Sequence, residues 1–240
     1  MASVSLLETR QVCKNFGGLD ALVNVDFDLP GGQVRALIGP NGAGKSTLVG
    51  TICGRIKPTS GSILFDGQEI TQMATHRRIC LGIAYTFQIT SVFSRLTAFE
   101  NVALGVRRIH GNRRHKVRGL VMEALERVNI ADLARQRAGD LSYGHQRLLE
   151  IAMGLGQSPV LFIMDEPTQG LSEGEIEGFK ELIRSLSGQT TILLIEHNMN
   201  VVMETAQFIT VLNSGSVLAE GTGDEMRRNK QVQAAYLGRN

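Results

Sequence analysis

Residues 33–48 read QVRALIGPNGAGKSTL, an apolar run interrupted by three glycines and then by a lysine and two hydroxyls. Gly39 to Ser46 satisfies the pattern GxxxxGK[ST], which a chain of 240 residues meets by chance on the order of one time in a hundred at average residue usage. Its surroundings narrow the fold further. A strand runs into the loop and KSTLVGTICGRI continues as a helix start, the strand–loop–helix unit that gives the motif its chemistry. The glycines let backbone N–H groups turn inward around phosphate oxygens, Lys45 offsets charge on the β- and γ-phosphates, and the helix N-terminus adds partial positive charge. The Ser46 hydroxyl is placed to ligate Mg²⁺. Gly39, Pro40, Asn41, Gly42, Ala43, Gly44, Lys45, Ser46 and Thr47 are therefore the candidate nucleotide contacts.

The rest of the pattern is α/β. Short β-rich runs (VSLLETRQV, LVNVDFDL, QVRALIG, SILFDG, GIAYTFQ, PVLFIMDE, TTILLIEH, QFITVLN and SVLAEG) alternate with longer helical segments, which predicts a substantially parallel sheet. VLFIM and TILLI show no polar alternation, as expected of strands covered on both faces. PVLFIMDEP delivers Asp165 and Glu166 to the end of such a strand, where parallel sheets bind ligands. Adjacent strand side chains point opposite ways. On that reading Asp165 faces the Mg²⁺ shell while Glu166 points elsewhere and polarises a water for in-line attack on the γ-phosphate. Between Ser91 and Ser158 the pattern is helical, an insertion in a strand-rich core. No repeat or linker divides the chain, so 1–240 reads as one domain with two lobes, a core at about 1–90 and 157–240 and a helical part at about 91–156.

Composition excludes more than it identifies. With 42% hydrophobic and 20% charged residues and a formal net charge of +2, the chain is an ordinary globular one and no general nucleic-acid binder. Cys13, Cys53 and Cys80 are scattered and form no CxxC pair, so they are expected to be buried or inert thiols in a reducing compartment. The first residues lack the basic start and apolar centre of a secretory leader, and no apolar run approaches the roughly 20 residues that span a bilayer. A cytosolic protein, or one held at a membrane by something else, is expected.

LSYGHQRLLEIAMGL, residues 141–155, places Ser142 and Gly144 where they open a helix whose free N–H groups suit an anion. This segment resembles the signature of ABC-transporter ATP-binding subunits, and the order of motifs agrees along essentially the whole chain. The resemblance implies a P-loop NTPase with a RecA-like core, an antiparallel β subdomain and a helical subdomain, with ATP and Mg²⁺ as cofactors. Phe16 resembles the aromatic that stacks on adenine, Gln88 the Q-loop glutamine, QGLS the D-loop and His197 the switch histidine. Glu166, His197, Lys45 and Gln88 are then the catalytic set, and Ser46, Gln88 and Asp165 the residues around the metal. In the family two subunits meet head to tail, so Ser142, Tyr143, Gly144 and His145 would contact the nucleotide of the opposite subunit.

FGGLDALVNVDFDL, YTFQITSVFSRLTAFENVALG, LIEHNMNVVM and AAYLGRN are most similar to the ATP-binding subunits of Liv-type importers, which carry branched-chain amino acids, other amino acids, amides or urea. That branch implies a second ATPase subunit, two multispanning permease subunits, a periplasmic or extracellular solute-binding protein, and a peripheral position at the cytoplasmic face of the inner membrane. Three positions depart from the family pattern. His145 stands where Gln is usual and would weaken that contact or make it depend on pH; Tyr143 replaces the first glycine of the pair; Ser172 follows Leu171 where Asp or Asn is commoner. Val92, Phe93 and Leu96 are apolar enough to form a groove for a membrane-subunit helix. The cationic run 107–118 reads as a solvated loop and helix start, or as a surface near anionic headgroups. A soluble ABC-type mechanical ATPase acting on ribosomes or DNA would carry two cassettes or a coiled coil, which this chain lacks. A degenerate regulatory cassette that binds ATP and scarcely hydrolyses it is opposed by the intact Glu166, Gln88 and His197 and left open by His145 and Ser172.

Overall fold

The computed structural model describes residues 5–86 and 91–237. Along the chain run β1 (Ser5–Phe16), β2 (Leu19–Pro30), β3 (Val34–Ile38), α1 (Lys45–Ile52), β4 (Ser60–Phe65), β5 (Gln68–Glu69), α2 (Thr75–Cys80) and β6 (Ile83–Thr86). A helical stretch follows: α3 (Ala98–His110), α4 (Arg114–Arg127), single 3₁₀ turns at Ala131–Leu133 and Ala138–Asp140, and α5 (Tyr143–Leu155). The chain then returns through β7 (Leu161–Asp165), α6 (Glu173–Leu186), β8 (Thr191–Ile195), α7 (Met199–Thr205), β9 (Phe208–Asn213), β10 (Ser216–Gly221), α8 (Gly223–Arg228) and α9 (Lys230–Leu237).

Two sheets result. One has the order β10-β9-β3-β8-β7-β6, parallel throughout except for the antiparallel edge strand β10. The other, β2-β1-β4-β5, is antiparallel. Every position of β3, β7 and β8 is buried, so both faces are covered; the one charge inside β3, Arg35, is paired with Glu220 at 3.1 Å. The nine expected strands all occur. The two-residue β5 was not expected, because two residues are too few to carry a period.

Helix α1 fills the space between the sheets. Its Leu48, Val49 and Ile52 share one core with Leu7, Val25, Phe27 and Leu29 of the antiparallel sheet and with Leu37, Ile163, Leu193 and Ile195 of the parallel one. On the opposite face, Val102, Val121, Leu149 and Ile151 of the helical stretch pack with Phe162, Met164, Ile192 and Leu194 and with Phe179 and Ile183 of α6. The helical stretch thus has no core of its own. It is one cover of the parallel sheet.

Helix ends follow spacing. Thr97–Glu100, Ser172–Glu175 and Thr222–Glu225 each form a capping box, the side chains answering one another's backbone N–H groups. Ahead of α3 the buried Asn101 organises the turn: its Oδ1 accepts from Phe93 N at 2.8 Å and its Nδ2 donates to the carbonyls of Phe93 and Thr97. Of the cysteines, Cys53 is buried and its thiol is pushed up to about 12, chiefly by burial. Cys13 is half buried, and Cys80 ends the short α2 in an exposed position.

The close approach of α5 to β7 depends on Gly154, where a Cβ would overlap the ring of Phe162. Gly154→Val is expected to destabilise the protein by about 1–3 kcal/mol through overpacking, more than the ~0.5 kcal/mol gained in helix propensity. Urea unfolding monitored by circular dichroism measures this, and an unchanged midpoint would contradict the packing described.

Candidate active site

Register places the functional segments on one edge. Ile195 pairs with Leu37 on one side and with Asp165 on the other. The residues that follow β3, β7 and β8, namely the Gly39 loop, Glu166 and the 196–198 turn, therefore leave the sheet side by side at the carboxyl ends of its strands, where open α/β sheets bind ligands.

The loop after β3 is braced from several directions. Ala43 O accepts from Gly215 N in the β9–β10 turn, and Gly215 O accepts from Val23 N of β2. Gly44 turns the chain into α1 with φ 104°, a conformation L side chains rarely adopt, and a Cβ there would lie 2.7 Å from Ala21 O. Lys45 is buried, and its ammonium donates to Gly39 O at 2.7 Å and Pro40 O at 3.1 Å. Burial lowers its pKa, while the carboxylates of Glu166 and Asp165 raise it. Ser46 stands exposed on the first turn of α1. Phe16 ends β1 and is 47% exposed, its ring under Lys14 Nζ at 4.7 Å.

Asp165 is the last residue of β7 and is buried. Its Oδ2 accepts from Tyr85 Oη at 2.8 Å and its N–H donates to Thr86 Oγ1 at 3.3 Å. Burial raises its carboxyl pKa and Glu166 adds to this, against the Tyr85 hydroxyl and the charges of Arg147 and Arg55. Tyr85, under the same burial and beside the same carboxylate, has its hydroxyl held well above the usual phenol range.

Strand alternation does not govern Glu166. The strand stops at Asp165, and Glu166 takes a left-handed conformation with φ 49°, its N–H donating to Ile195 O at 2.8 Å. That turn, rather than a pleat, aims its carboxylate at His197, whose Nε2 lies 2.9 Å from Glu166 Oε1. His197 likewise stands beyond the end of β8, in an exposed turn.

The signature segment opens α5 as its sequence implied: Ser142 is the N-cap and its Oγ accepts from His145 N at 3.2 Å. Tyr143 is half exposed with its ring against Gly170, and Gly144 is buried so close to Glu175 that a Cβ would lie 2.6 Å from Oε1. His145 lies beside the same carboxyl, which Ser172 holds below its usual range and His145 lowers further. Ser172 itself is the N-cap of α6, a role that Asp or Asn also fills. Val92 and Leu96 are half buried and Phe93 is 55% exposed beside the Asn101-bound turn. Arg107, Arg108 and His110 of the cationic run occupy the last turn of α3, where the helix dipole favours cations. Gln88 lies outside the described residues.

Sequence reasoning missed the residues that hold the edge together. Arg147 is buried on α5, paired with Glu150 at 2.5 Å, and its Nη2 donates to the carbonyls of Asp165 and of Glu166, the latter at 2.9 Å. A signal was available: two charges three apart in RLLEIAM, residues 147–153, stand in an otherwise apolar run and demand a partner. Tyr85 and Glu196 carried no comparable pattern.

A nucleotide-binding loop, a histidine just beyond the neighbouring strand and an acidic pair closing the strand after that define an ATP-hydrolysing P-loop cassette. A profile described as ABC transporter matches residues 22–169, and one described as branched-chain amino acid ATP-binding cassette transporter matches residues 216–240. The chain is 38% identical to the high-affinity branched-chain amino acid transport ATP-binding protein BraF of Pseudomonas aeruginosa, covering 97% of this chain and 98% of the relative. It is 37% identical to LivG of Escherichia coli K12, named in the same way, over 98% and 99%. Among solved structures, MJ1267, an ATP-binding cassette of an ABC transporter, superposes with a TM-score of 0.88 at 29% identity over 97% of this chain and 99% of its own. The chain belongs to the ABC transporter family, as an ATP-binding subunit whose ATPase activity is coupled to transport.

Arg147→Met breaks the buried Arg147–Glu150 pair by removing one partner and is expected to cost about 3–5 kcal/mol in urea unfolding. Adding Glu150→Leu should recover a large part of that loss. A double variant no more stable than the single one would show that the pair is not what the helix depends on.

Proposed function

We propose that this chain powers uptake of branched-chain amino acids or related amides, as one of two ATPase subunits beneath two multispanning permease subunits that receive solute from a periplasmic or extracellular binding protein. The observation that carries this reading is full-length similarity to BraF and LivG together with the matched segment 216–240. No helix among the described residues is long and apolar enough to cross a membrane, which suits a peripheral subunit at the cytoplasmic face. The half-exposed Phe93, with Val92 and Leu96 beside it, is the surface we assign to a permease helix. The helical subdomain at about 91–156 would carry that contact toward the nucleotide, with Gln88 as the link.

Within the site, Lys45 and the amides of the Gly39 loop would hold the β- and γ-phosphates, with Phe16 against the adenine. No cluster of three or more His, Cys, Asp or Glu side chains among the described residues would hold a metal by itself. Mg²⁺ carried by phosphates needs only one or two protein ligands, and the exposed Ser46 hydroxyl and the Asp165 carboxylate fit that donor set. When bound, the ion neutralises charge developing on the phosphates. Glu166 would take the proton of the attacking water, with His197 Nε2–H donating to Oε1 and so fixing which carboxylate oxygen faces the water. Ser142, Tyr143, Gly144 and His145 would close over the γ-phosphate of the other subunit, so that ATP fastens the pair and hydrolysis releases it.

Glu166→Gln should bind ATP with affinity within about threefold of the parent, lose turnover by ~10²-fold or more and accumulate an ATP-dependent dimer. Phosphate release and sedimentation velocity measure these, and unchanged turnover removes Glu166 as the base. Lys45→Ala should instead lose ATP binding in equilibrium titration. For transport, purification from membranes should recover two multispanning subunits, whereas recovery with ribosomes or DNA would overturn the importer reading.

A further inference from the structure

Glu196 sits between the last residue of β8 and His197 and is buried to 4% exposure. Its two carboxylate oxygens serve two different stretches of chain. Oε1 accepts from the backbone N of Thr168 at 2.9 Å and from its Oγ1 at 2.6 Å. Oε2 accepts from His197 N at 2.9 Å and Asn198 N at 3.2 Å. Thr168 lies two residues beyond Glu166, and Glu166 N itself donates to Ile195 O at 2.8 Å. One carboxylate thus ties the turn that carries Glu166 to the turn that carries His197. These are the two residues whose side chains meet at 2.9 Å.

We propose that Glu196 is the positioning residue of this ATPase, setting the distance between Glu166 and His197 and making the Glu166–Thr168 turn and the His197–Asn198 turn one rigid piece. The inference rests on the roles given above to Glu166 and His197. All four groups facing Glu196 are donors: three backbone N–H groups and a hydroxyl. An ionised carboxylate is acceptor-only and answers all of them, whereas an amide of the same size would set an NH₂ against at least one N–H. None of the four hydrogen bonds to Glu196 comes from the Gly39 loop, so nucleotide binding and the chemical step should separate. Thr168 also opens the Gln169–Ser172 segment, so a displacement of that segment reaches the backbone of His197 through a single side chain.

The decisive variant is Glu196→Gln, isosteric and measured beside Glu166→Gln with ATP alone in detergent-purified transporter or isolated subunit. The expected result is a kcat lower by ~10–100-fold with KM for ATP within about threefold, since misplacement by about an ångström is enough for losses of this size. Thr168→Val, which keeps volume and the backbone bond but removes the hydroxyl, should lower kcat by about 3–10-fold in the same KM-independent way, and the double variant should lose less than the product of the two. A folded Glu196→Gln with kcat within twofold of the parent overturns the proposal. So does a parallel fall of kcat and ATP affinity in both variants, which general loosening would produce. If Glu196→Gln fails to fold, the split in Thr168→Val decides. Normal turnover in Glu166→Gln would instead sink the reading of the base, whatever Glu196 does.

Discussion

Parallel register between three fully buried strands is the constraint on which the rest of the molecule depends. Leu37, Ile195 and Asp165 lie level across β3, β8 and β7, so three loops distant in sequence are released at the same height on the same edge. Register in such a sheet is held by packing on both faces, because a slip of one residue sends every side chain to the opposite cover. The two covers follow from it. Helix α1 and the antiparallel sheet close one face, and α5, α6 and the rest of the helical stretch close the other.

An edge of that kind would be loose if it were only the place where strands stop. Here it is held from above and from the side. Arg147 reaches from α5 to the carbonyls of Asp165 and Glu166, and Glu196 receives the N–H groups of Thr168, His197 and Asn198. Between these clamps Glu166 keeps a left-handed backbone, a conformation that costs a non-glycine residue about 1–3 kcal/mol and persists only where its surroundings over-determine it. Tyr85 adds a fixed donor for Asp165, whose burial would otherwise leave one carboxylate oxygen without a defined orientation.

The strands and the phosphate loop were legible because they are local: an apolar run of five, or a glycine pattern of eight positions, is written in adjacent residues. The capping boxes Thr97–Glu100, Ser172–Glu175 and Thr222–Glu225 were equally open to a reading by spacing, and Ser172, which departs from the family pattern, turns out to stand at a helix N-cap. What was not legible is the traffic between segments. Tyr85 meets Asp165 across eighty residues of chain, and Glu196 meets Thr168 across twenty-eight; no window of sequence contains either pair. What aims Glu166 was not legible for a related reason. Alternation holds only while a strand continues, and where it ends is decided by its hydrogen-bonded neighbour, here Ile195.

Helix α5 is capped by Ser142 and, about a turn and a half later, presents Arg147 to the end of β7. An α-helix transmits displacement along its axis with little loss, so in the proposed dimer its first turn answers to one nucleotide and its buried guanidinium to the other. The free energy with which one site favours closure would then reappear, by reciprocity, at the second. Two sites joined by so short a shaft would behave as one machine with two inlets.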